Sequence, residues 1–164
     1  MSDATLPPSA ARVQAAARRL GLEIAVREMP ASTRTSDEAA AACGCEVGQI
    51  VKSLVFAGKD SGRPYLLLVS GKNRVDEKGV AGTIGERLTR PDAAAVRAWT
   101  GFAIGGIPPF GHAAELPTFV DGDLLAYDVV WAAAGTPSAV FSVAPAALAR
   151  AVGGQIVAGM RWVG

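Results

Sequence analysis

Cysteine and histidine are the scarcest reactive residues of this chain. Among 164 residues there are two cysteines, Cys43 and Cys45, and one histidine, His112. Cysteines spaced i, i+2 are poorly placed to bond each other, so we expect no disulfide scaffold, and a cytoplasmic location fits. One histidine without a second cysteine pair makes no convincing zinc site, and we assign no Ser-His-Asp triad. We therefore expect no metal and no cofactor.

Charge of one sign and long apolar runs are also lacking. Sixteen Lys and Arg against fifteen Asp and Glu leave a formal net charge of +1. Chromatin-type and general RNA coat proteins usually carry a stronger basic excess, although a local basic rim suffices for a small footprint. No run approaches the ~20 apolar residues of a bilayer span, and residues 1–10 lack the pattern of a signal peptide. We expect neither DNA nor a membrane as a partner.

The composition that remains is globular, because half of the residues are hydrophobic and 19% are charged. We expect one domain over residues 1–164, with residues 1–9 as a loose tail. Apolar spacing, capping residues and glycine stops predict helices over 10–20, 37–43, 91–100 and 145–152. A helical turn is expected near 47–50, and Asn73 or Asp76 is expected to begin a further helix.

Short apolar runs between turn residues predict the strands, at 22–29, 51–57, 65–70, 118–120, 125–131, 139–143 and 155–158. The turn-rich GKDSGR between 51–57 and 65–70 predicts a hairpin, whereas residues 101–117 are expected to be loop. The elements alternate and hairpins are frequent. The fold class is therefore α/β in the mixed α+β sense, with a mixed, largely antiparallel sheet surrounded by helices.

Lys52 is the most informative single residue, because it lies inside the apolar run IVKSLVF. In a strand it shares a face with Leu54 and Phe56, while Val51 and Val55 line the other face. Burying an ammonium is costly, so a lysine at such a position indicates a function. The alternative from this segment alone is a packed stem with the charged end at the rim.

The second unusual segment is GGIPPFGH, residues 105–112. Gly105 and Gly106 permit unusual backbone angles and close ligand approach, and Pro108 and Pro109 stiffen the rest of the loop. Such a loop can present fixed backbone groups to a substrate. A rigid connector has the same composition, so both interpretations stay open.

Lys52 within VKSL, followed by the Gly-x-x-x-Pro pattern from Gly105 to Pro109, resembles the YbaK/ProX family. The similarity also includes STRTSDEAAAACGC, VSGKNRVDEK, LPTFVDGDL and AAGTPSAVFSVAPAAL, and it covers roughly residues 10–160. Proteins of this family resemble the editing domain inserted in many bacterial prolyl-tRNA synthetases. The resemblance implies that fold and the hydrolysis of the ester between a wrong amino acid and the tRNA 3′ end.

The resemblance also implies roles for particular residues. Lys52 matches the family's active-site lysine, which holds the terminal phosphate or ribose and organises the site. A second segment matches the loop that shapes the family's amino-acid pocket, and it consists of Gly105, Gly106, Ile107, Pro108 and Pro109. Gly105 is expected to be catalytic, and the other four residues are expected to bind substrate. Backbone groups there are expected to orient the ester and the attacking water.

Three further residues are candidates for substrate binding. His112 follows the loop and contacts the substrate or the tRNA, or acts as a general base; the alternative is a histidine that caps the loop by hydrogen bonding. Thr35 or Ser36 binds the substrate's amino group or side chain, with plain N-capping as the alternative, particularly for Ser36. Gly135 matches a glycine loop bordering the pocket in relatives, and its simpler role is a turn.

The leading hypothesis is therefore a trans-acting aminoacyl-tRNA deacylase for a small amino acid, namely Ser or Thr, Ala, or Cys. The expected tRNA is that for proline or a related one, contacted at its acceptor end, and an aminoacyl-tRNA synthetase is a possible partner. The alternative hypothesis is a binding module of the same fold that holds tRNA or an aminoacyl ligand without turnover. Lys52 together with the intact Gly-x-x-x-Pro loop favours the enzyme.

Overall fold

The computed structural model describes residues 6–158 and 161–162, the last two by their backbone alone. The helices are α1 (Pro8–Arg19), α2 (Ser36–Cys43), α3 (Glu77–Ile84), α4 (Ala93–Thr100) and α5 (Pro145–Val152). The strands are β1 (Arg27–Glu28), β2 (Ile50–Gly58), β3 (Pro64–Ser70), β4 (Arg74–Val75), β5 (Leu88–Thr89), β6 (Thr118–Asp121), β7 (Val130–Ala133), β8 (Ala139–Val143), β9 (Gln155–Val157) and β10 (Arg161–Trp162). Short 3-10 turns cover Val47–Gln49 and Gly122–Ala126.

The main sheet runs in the order β1-β8-β7-β2-β3-β6-β9, and β5 pairs with the far end of β2. Its antiparallel pairs are β1–β8, β7–β8, β2–β3 and β2–β5, and its parallel pairs are β2–β7, β3–β6 and β6–β9. The β2–β3 hairpin is in continuous register from Val51↔Ser70 to Ala57↔Pro64. The predicted hairpin and the predicted fold, a mixed α/β domain with a largely antiparallel sheet, are confirmed.

Helix boundaries follow capping residues. The Asp92 side chain accepts a hydrogen bond from Ala95 N at 2.8 Å, so α4 begins at Ala93, after the predicted start at 91. Helix α5 has the predicted bounds, with Pro145 in its first turn and Gly153 at φ +61° after its end. Of the two predicted starts for α3, Asp76 is the N-cap and Asn73 is not.

The first helix begins earlier than predicted. Pro8 lies in the first turn of α1, a position that tolerates its missing N–H, so residues 8 and 9 are helical and do not belong to a loose tail. Residues 1–5 of the predicted tail lie outside the described residues. No helix that the described residues form is long and apolar enough to span a bilayer.

Two predicted strands are shorter than expected, because side chains and turns take their backbone hydrogen bonds. Over 22–29 only Arg27–Glu28 is strand, since the buried Gln14 donates to Ile24 O at 2.9 Å and accepts from Val26 N at 3.1 Å. Over 125–131 the strand begins at Val130, because a 3-10 turn occupies Gly122–Ala126.

The core lies on both faces of the central hairpin. Leu66 and Leu68 face the cluster that contains α1, whereas Leu67 and Val69 face the cluster that contains Val80 of α3. All four β3 residues are 0% exposed, which is why this strand reads as a continuous apolar run. A smaller cluster joins Ala39 and Ala40 of α2 to Ile50, on the strand face that also carries Lys52. The lysine therefore lies at the centre of the sheet, on a face that α2 covers in part.

Candidate functional site

A cavity of about 510 Å³ opens where β2 and β7 separate. The two strands pair only at Ile50↔Trp131 and Val51↔Ala132, and β5 joins the same edge of β2 only at Ala57 and Gly58. Between these pairings the edge has no strand neighbour among the described residues. The cavity is lined by Thr33, Arg34, Thr35, Ser36, Ala39, Ile50, Val51, Lys52, Ser53, Leu54, Ile104, Gly105, Ile107, Trp131, Ala132, Ala133 and Val140. Its volume suits a small ligand or the end of a larger one.

Lys52 lies half-buried on the wall that β2 forms, and its ammonium donates a hydrogen bond to the backbone carbonyl of Asn73. Burial lowers the pKa of Lys52, the neighbouring Arg74 lowers it further, and the carboxylate of Asp121 opposes both effects. Lys52 is thus observed in the apolar strand predicted for it, and it lines the cavity. The role assigned to it stays a prediction.

The loop of residues 105–109 forms the opposite wall in part. Gly105 and Ile107 line the cavity, whereas Gly106, Pro108 and Pro109 are not among its lining residues. Gly105 has φ +103°, in the left-handed region that favours glycine. The amides of Gly105 and Ile107 donate to no group in the described part of the chain.

Gly106 and Gly135 attach this loop to the next one. The N–H of Gly135 donates to the Gly106 carbonyl at 2.9 Å, and a Cβ on Gly106 would stand 2.8 Å from the backbone of Thr136. Gly135 has φ +95°, and a Cβ there would stand 2.7 Å from the carbonyl oxygen of Ser9. The structure gives both glycines a packing role behind the cavity wall, and substrate contact by either stays a prediction.

His112 also lies behind the loop and not on the cavity lining. Its Nε2 is 2.7 Å from the carbonyl oxygen of Pro108, which can only accept, so Nε2 carries the proton and donates. Burial lowers the pKa of the imidazole, and the bond to Pro108 opposes that shift. The ring stands edge-on to Phe102, with centroids 6.5 Å apart. The loop-capping alternative is the arrangement observed, and a substrate contact stays a prediction.

The start of α2 forms the cavity mouth. Thr35 is the N-cap, because its Oγ1 accepts from Glu38 N at 3.1 Å and donates to Glu38 Oε1 at 3.0 Å. Of the two residues expected to cap the helix, Thr35 does so and Ser36 is the first helical residue. Thr35 and Ser36 both line the cavity, as does Thr33, whose hydroxyl donates to Pro137 O at 3.0 Å. A substrate contact by Thr35 is compatible with this position.

Three of the lining residues that were not singled out in the sequence have chemistry relevant to a site. Arg34 is exposed at the mouth, and its guanidinium has no hydrogen bond or ion pair with any described residue. Ser53 has a buried hydroxyl without a hydrogen-bond partner in the described structure. Trp131 contributes a large aromatic surface from β7. The pairing of β2 with β7 brings Ser53 and Trp131 together, and the bond from Thr33 to Pro137 holds the segment of Arg34 beside them.

The electrostatic character of the cavity follows from its lining. Its charged side chains are Lys52 and Arg34, both cationic, and the lining residues include neither a carboxylate nor an imidazole. The described residues contain no group of three or more His, Cys, Asp or Glu side chains arranged to hold a metal ion. The cavity is therefore suited to an anionic group beside a small, largely apolar one.

Comparisons with known proteins identify relatives by sequence and by fold. Residues 30–151, which include Lys52 and the 105–109 loop, match the family model described as the aminoacyl-tRNA editing domain. The fold is similar to the crystal structure of "a putative trans-editing enzyme for prolyl tRNA synthetase", with a TM-score of 0.88 and 52% identity, over 94% of this chain and 98% of that one.

Two further relatives are more distant in sequence. "Putative Cys-tRNA(Pro)/Cys-tRNA(Cys) deacylase EbsC" of Enterococcus faecalis is 29% identical over 125 residues, which are 74% of each chain. The proline–tRNA ligase of Limosilactobacillus fermentum is 33% identical over 94 residues, which are 55% of this chain and 16% of the ligase. The predicted resemblance is thus confirmed by sequence and by fold.

Proposed function

The chain belongs to the aminoacyl-tRNA editing domain family, and we propose that it is a trans-acting deacylase. It hydrolyses the ester that joins a small, wrongly attached amino acid to the 3′ end of a tRNA. Action in trans is supported by the similarity to a protein described as a trans-editing enzyme, which matches nearly the whole of both chains. A cytoplasmic location follows from such a substrate.

The observation that carries the proposal is the cavity with two cations and no acid or imidazole in its lining. Nucleic-acid ends carry phosphates, and Lys and Arg are the side chains that neutralise them. Ile50, Leu54, Ala132 and Ala133 give the same cavity an apolar surface. We assign Lys52 and Arg34 to the phosphate and ribose, and the apolar part to the amino acid.

An aminoacyl ester is already activated, so the protein has to position water and stabilise the developing oxyanion. The free N–H groups of Gly105 and Ile107 are the proposed donors to that oxyanion. Pro108 and Pro109 have no N–H and hold the loop rigid behind these donors. Because the lining has neither a carboxylate nor an imidazole to activate a hydroxyl, no acyl-enzyme is proposed and water attacks the ester directly.

The substrate amino acid is proposed to be Ser or Thr, Ala, or Cys, on the tRNA for proline or a related tRNA. The hydroxyls of Thr33, Thr35, Ser36 and Ser53 favour a small polar side chain. The relative in E. faecalis is named for Cys-tRNA(Pro) and Cys-tRNA(Cys), which keeps Cys in the set. The net charge of +1 supports contact limited to the acceptor end, with a synthetase as a possible partner that supplies the rest.

The test is a deacylation panel. The purified protein is incubated with tRNA for proline carrying Ala, Cys, Ser, Thr or Pro, and loss of the ester is followed over time. Lys52→Ala is the inactive control, and Lys59→Ala, at the exposed hairpin end of β2, is the matched control. Lys52-dependent loss of one or two amino acids is expected. If the protein binds these tRNAs but the ester is lost from none of them, a binding module replaces the deacylase as the proposed function.

A further inference from the structure

A carboxylate that does not line the cavity is buried behind its lysine. Asp121, the last residue of β6, is 1% exposed. Its side chain accepts three hydrogen bonds, from Ser70 N at 3.0 Å, from Asn73 Nδ2 at 2.8 Å and from Asp123 N at 2.9 Å. A carboxylate is rarely buried to this extent unless charges and hydrogen bonds compensate it. These bonds attach the turn after β3 to the end of β6.

Asn73 connects that carboxylate to Lys52. The side chain is 6% exposed, and its Nδ2 also donates to Asp123 Oδ2 at 2.9 Å. Its backbone N–H donates to Ser70 O at 2.9 Å, and its backbone carbonyl accepts the hydrogen bond from Lys52 Nζ. The position of the ammonium is therefore set by a carbonyl whose own residue is held by Asp121.

We propose that Asp121, acting through Asn73, is a positioning residue that fixes the charged end of Lys52 at the cavity wall. Its kinetic consequences rest on the proposed deacylase function, whereas its effect on the lysine itself does not. Asn73 lies in the segment VSGKN and Asp121 in FVDGD, more than forty positions further along the chain. The parallel pairing of β3 with β6 brings the two segments together.

The charges around Lys52 give Asp121 a second effect besides position. Burial and the cation of Arg74 on β4 lower the pKa of Lys52, and Asp121 raises it. Arg34 faces the same cavity, and Lys72, next to Asn73, lies over the Tyr127 ring at 5.6 Å. In this cationic surrounding the carboxylate of Asp121 favours the charged lysine.

The first experiment does not depend on activity. Lys52 reactivity towards acetic anhydride is measured as a function of pH by mass spectrometry of the labelled peptide, in wild type, Asp121→Asn and Asp128→Asn. Asp128 is exposed and serves as the matched control. In Asp121→Asn the pKa of Lys52 is expected to fall by about one unit, as for loss of a nearby opposite charge, and Asp128→Asn is expected to match wild type. An unchanged Lys52 profile in Asp121→Asn overturns the proposal.

The second experiment measures deacylation of the aminoacyl-tRNA that wild type hydrolyses fastest. The basic limb is the fall of kcat/KM at high pH, and in Asp121→Asn it is expected to move to lower pH. The value of kcat/KM is expected to fall roughly 10- to 100-fold, the scale of a misplaced reacting group. A general loss of stability lowers the rate without moving that limb. A rate loss with the limb in its wild-type place therefore also overturns the proposal.

Asn73→Ala separates position from charge, and it provides the test if Asp121→Asn does not fold. It keeps the carboxylate of Asp121 but removes the two Nδ2 hydrogen bonds that hold the carbonyl. About a 10-fold loss of kcat is expected, with the basic limb near its wild-type position, and wild-type kcat overturns the positioning role. If wild type deacylates no substrate, the proposed function fails, and the labelling experiment still decides whether Asp121 controls Lys52.

Discussion

The two walls of the cavity are built on different principles. The β2 wall presents a charged side chain from the centre of a sheet, and Lys52 is held there by the carbonyl of Asn73. The wall of the 105–109 loop presents mainly backbone, and it is held by the bond from Gly135 to Gly106 and by His112 on Pro108. Charge is thus supplied by a rigid strand and shape by a tethered loop. Substitutions are expected to affect charge on one wall and geometry on the other.

The largest expected effect is that of Lys52→Ala on activity. Deacylation is expected to fall at least about 100-fold, the scale of losing one group that stabilises the transition state. The melting temperature is expected to stay the same or rise, because the lysine's lowered pKa reports an ammonium that the fold disfavours by desolvation. Rates and thermal melts are measured beside Lys59→Ala, and wild-type turnover by Lys52→Ala would contradict the assignment.

Substitutions of the glycines in the 105–109 loop test the geometry of this wall most directly. Gly106→Ala places a Cβ at 2.8 Å from the Thr136 backbone, so the loop must shift and both stability and rate are expected to fall. Gly105→Ala meets only the Arg34 side chain at 3.5 Å or more, and its cost is mainly the strain of a positive φ, about 1–3 kcal/mol. Denaturant unfolding compares the two, and a greater loss in Gly105→Ala would reverse the interpretation.

Gly105→Val tests whether a change in the shape of the cavity lowers turnover while the charges that bind tRNA stay in place. A branched side chain at the cavity lining is expected to block the amino-acid end and lower kcat/KM by at least about 10-fold, while tRNA without an amino acid still binds. Binding of that uncharged tRNA is measured by a filter assay beside Gly62→Val, which changes a positive-φ glycine in the exposed hairpin turn. Wild-type turnover by Gly105→Val would remove the loop from the site.

A smaller effect is expected from Arg34→Gln at the cavity mouth. If Arg34 contacts one phosphate, KM rises by several-fold with little change in kcat. The slope of log KM against log salt then decreases by about 0.7, as for one phosphate contact on a single strand. Rates at several salt concentrations measure this, and Arg87→Gln, an exposed arginine outside the cavity lining, is the control. An unchanged salt slope would exclude the phosphate contact.

The smallest effect concerns His112 and pH. Burial lowers its pKa from 6.5, so on acidification the unfolded chain binds a proton that the folded chain resists. The stability contributed by the neutral imidazole is present above pH 6.5 and is lost as the pH falls through the folded pKa. The melting temperature of wild type should decrease between about pH 7 and pH 5 more than that of His112→Gln, by on the order of a few °C. Parallel curves for the two proteins would contradict this.

Local patterns accounted for the parts of the structure in which backbone hydrogen bonds stay within one element or one hairpin. The β2–β3 hairpin, α5 and the 101–117 loop were predicted in this way. The 22–29 strand was overestimated because the Gln14 side chain, from a different element, takes its hydrogen bonds. No local sequence pattern predicts that a side chain will compete with a neighbouring strand for these backbone hydrogen bonds.

By itself the sequence determined that Lys52 is a charge in an apolar strand and that residues 105–109 form a stiff, glycine-rich loop, since both depend on residue type and neighbours. Only the tertiary structure decided which groups share the cavity with Lys52. Arg34 enters it, His112 turns away to Pro108, and Asp121 lies buried behind it. The physical reason is that these relations depend on how loops and distant strands pack in three dimensions, and for Asp121 on the parallel pairing of β3 with β6, which local residue spacing does not encode.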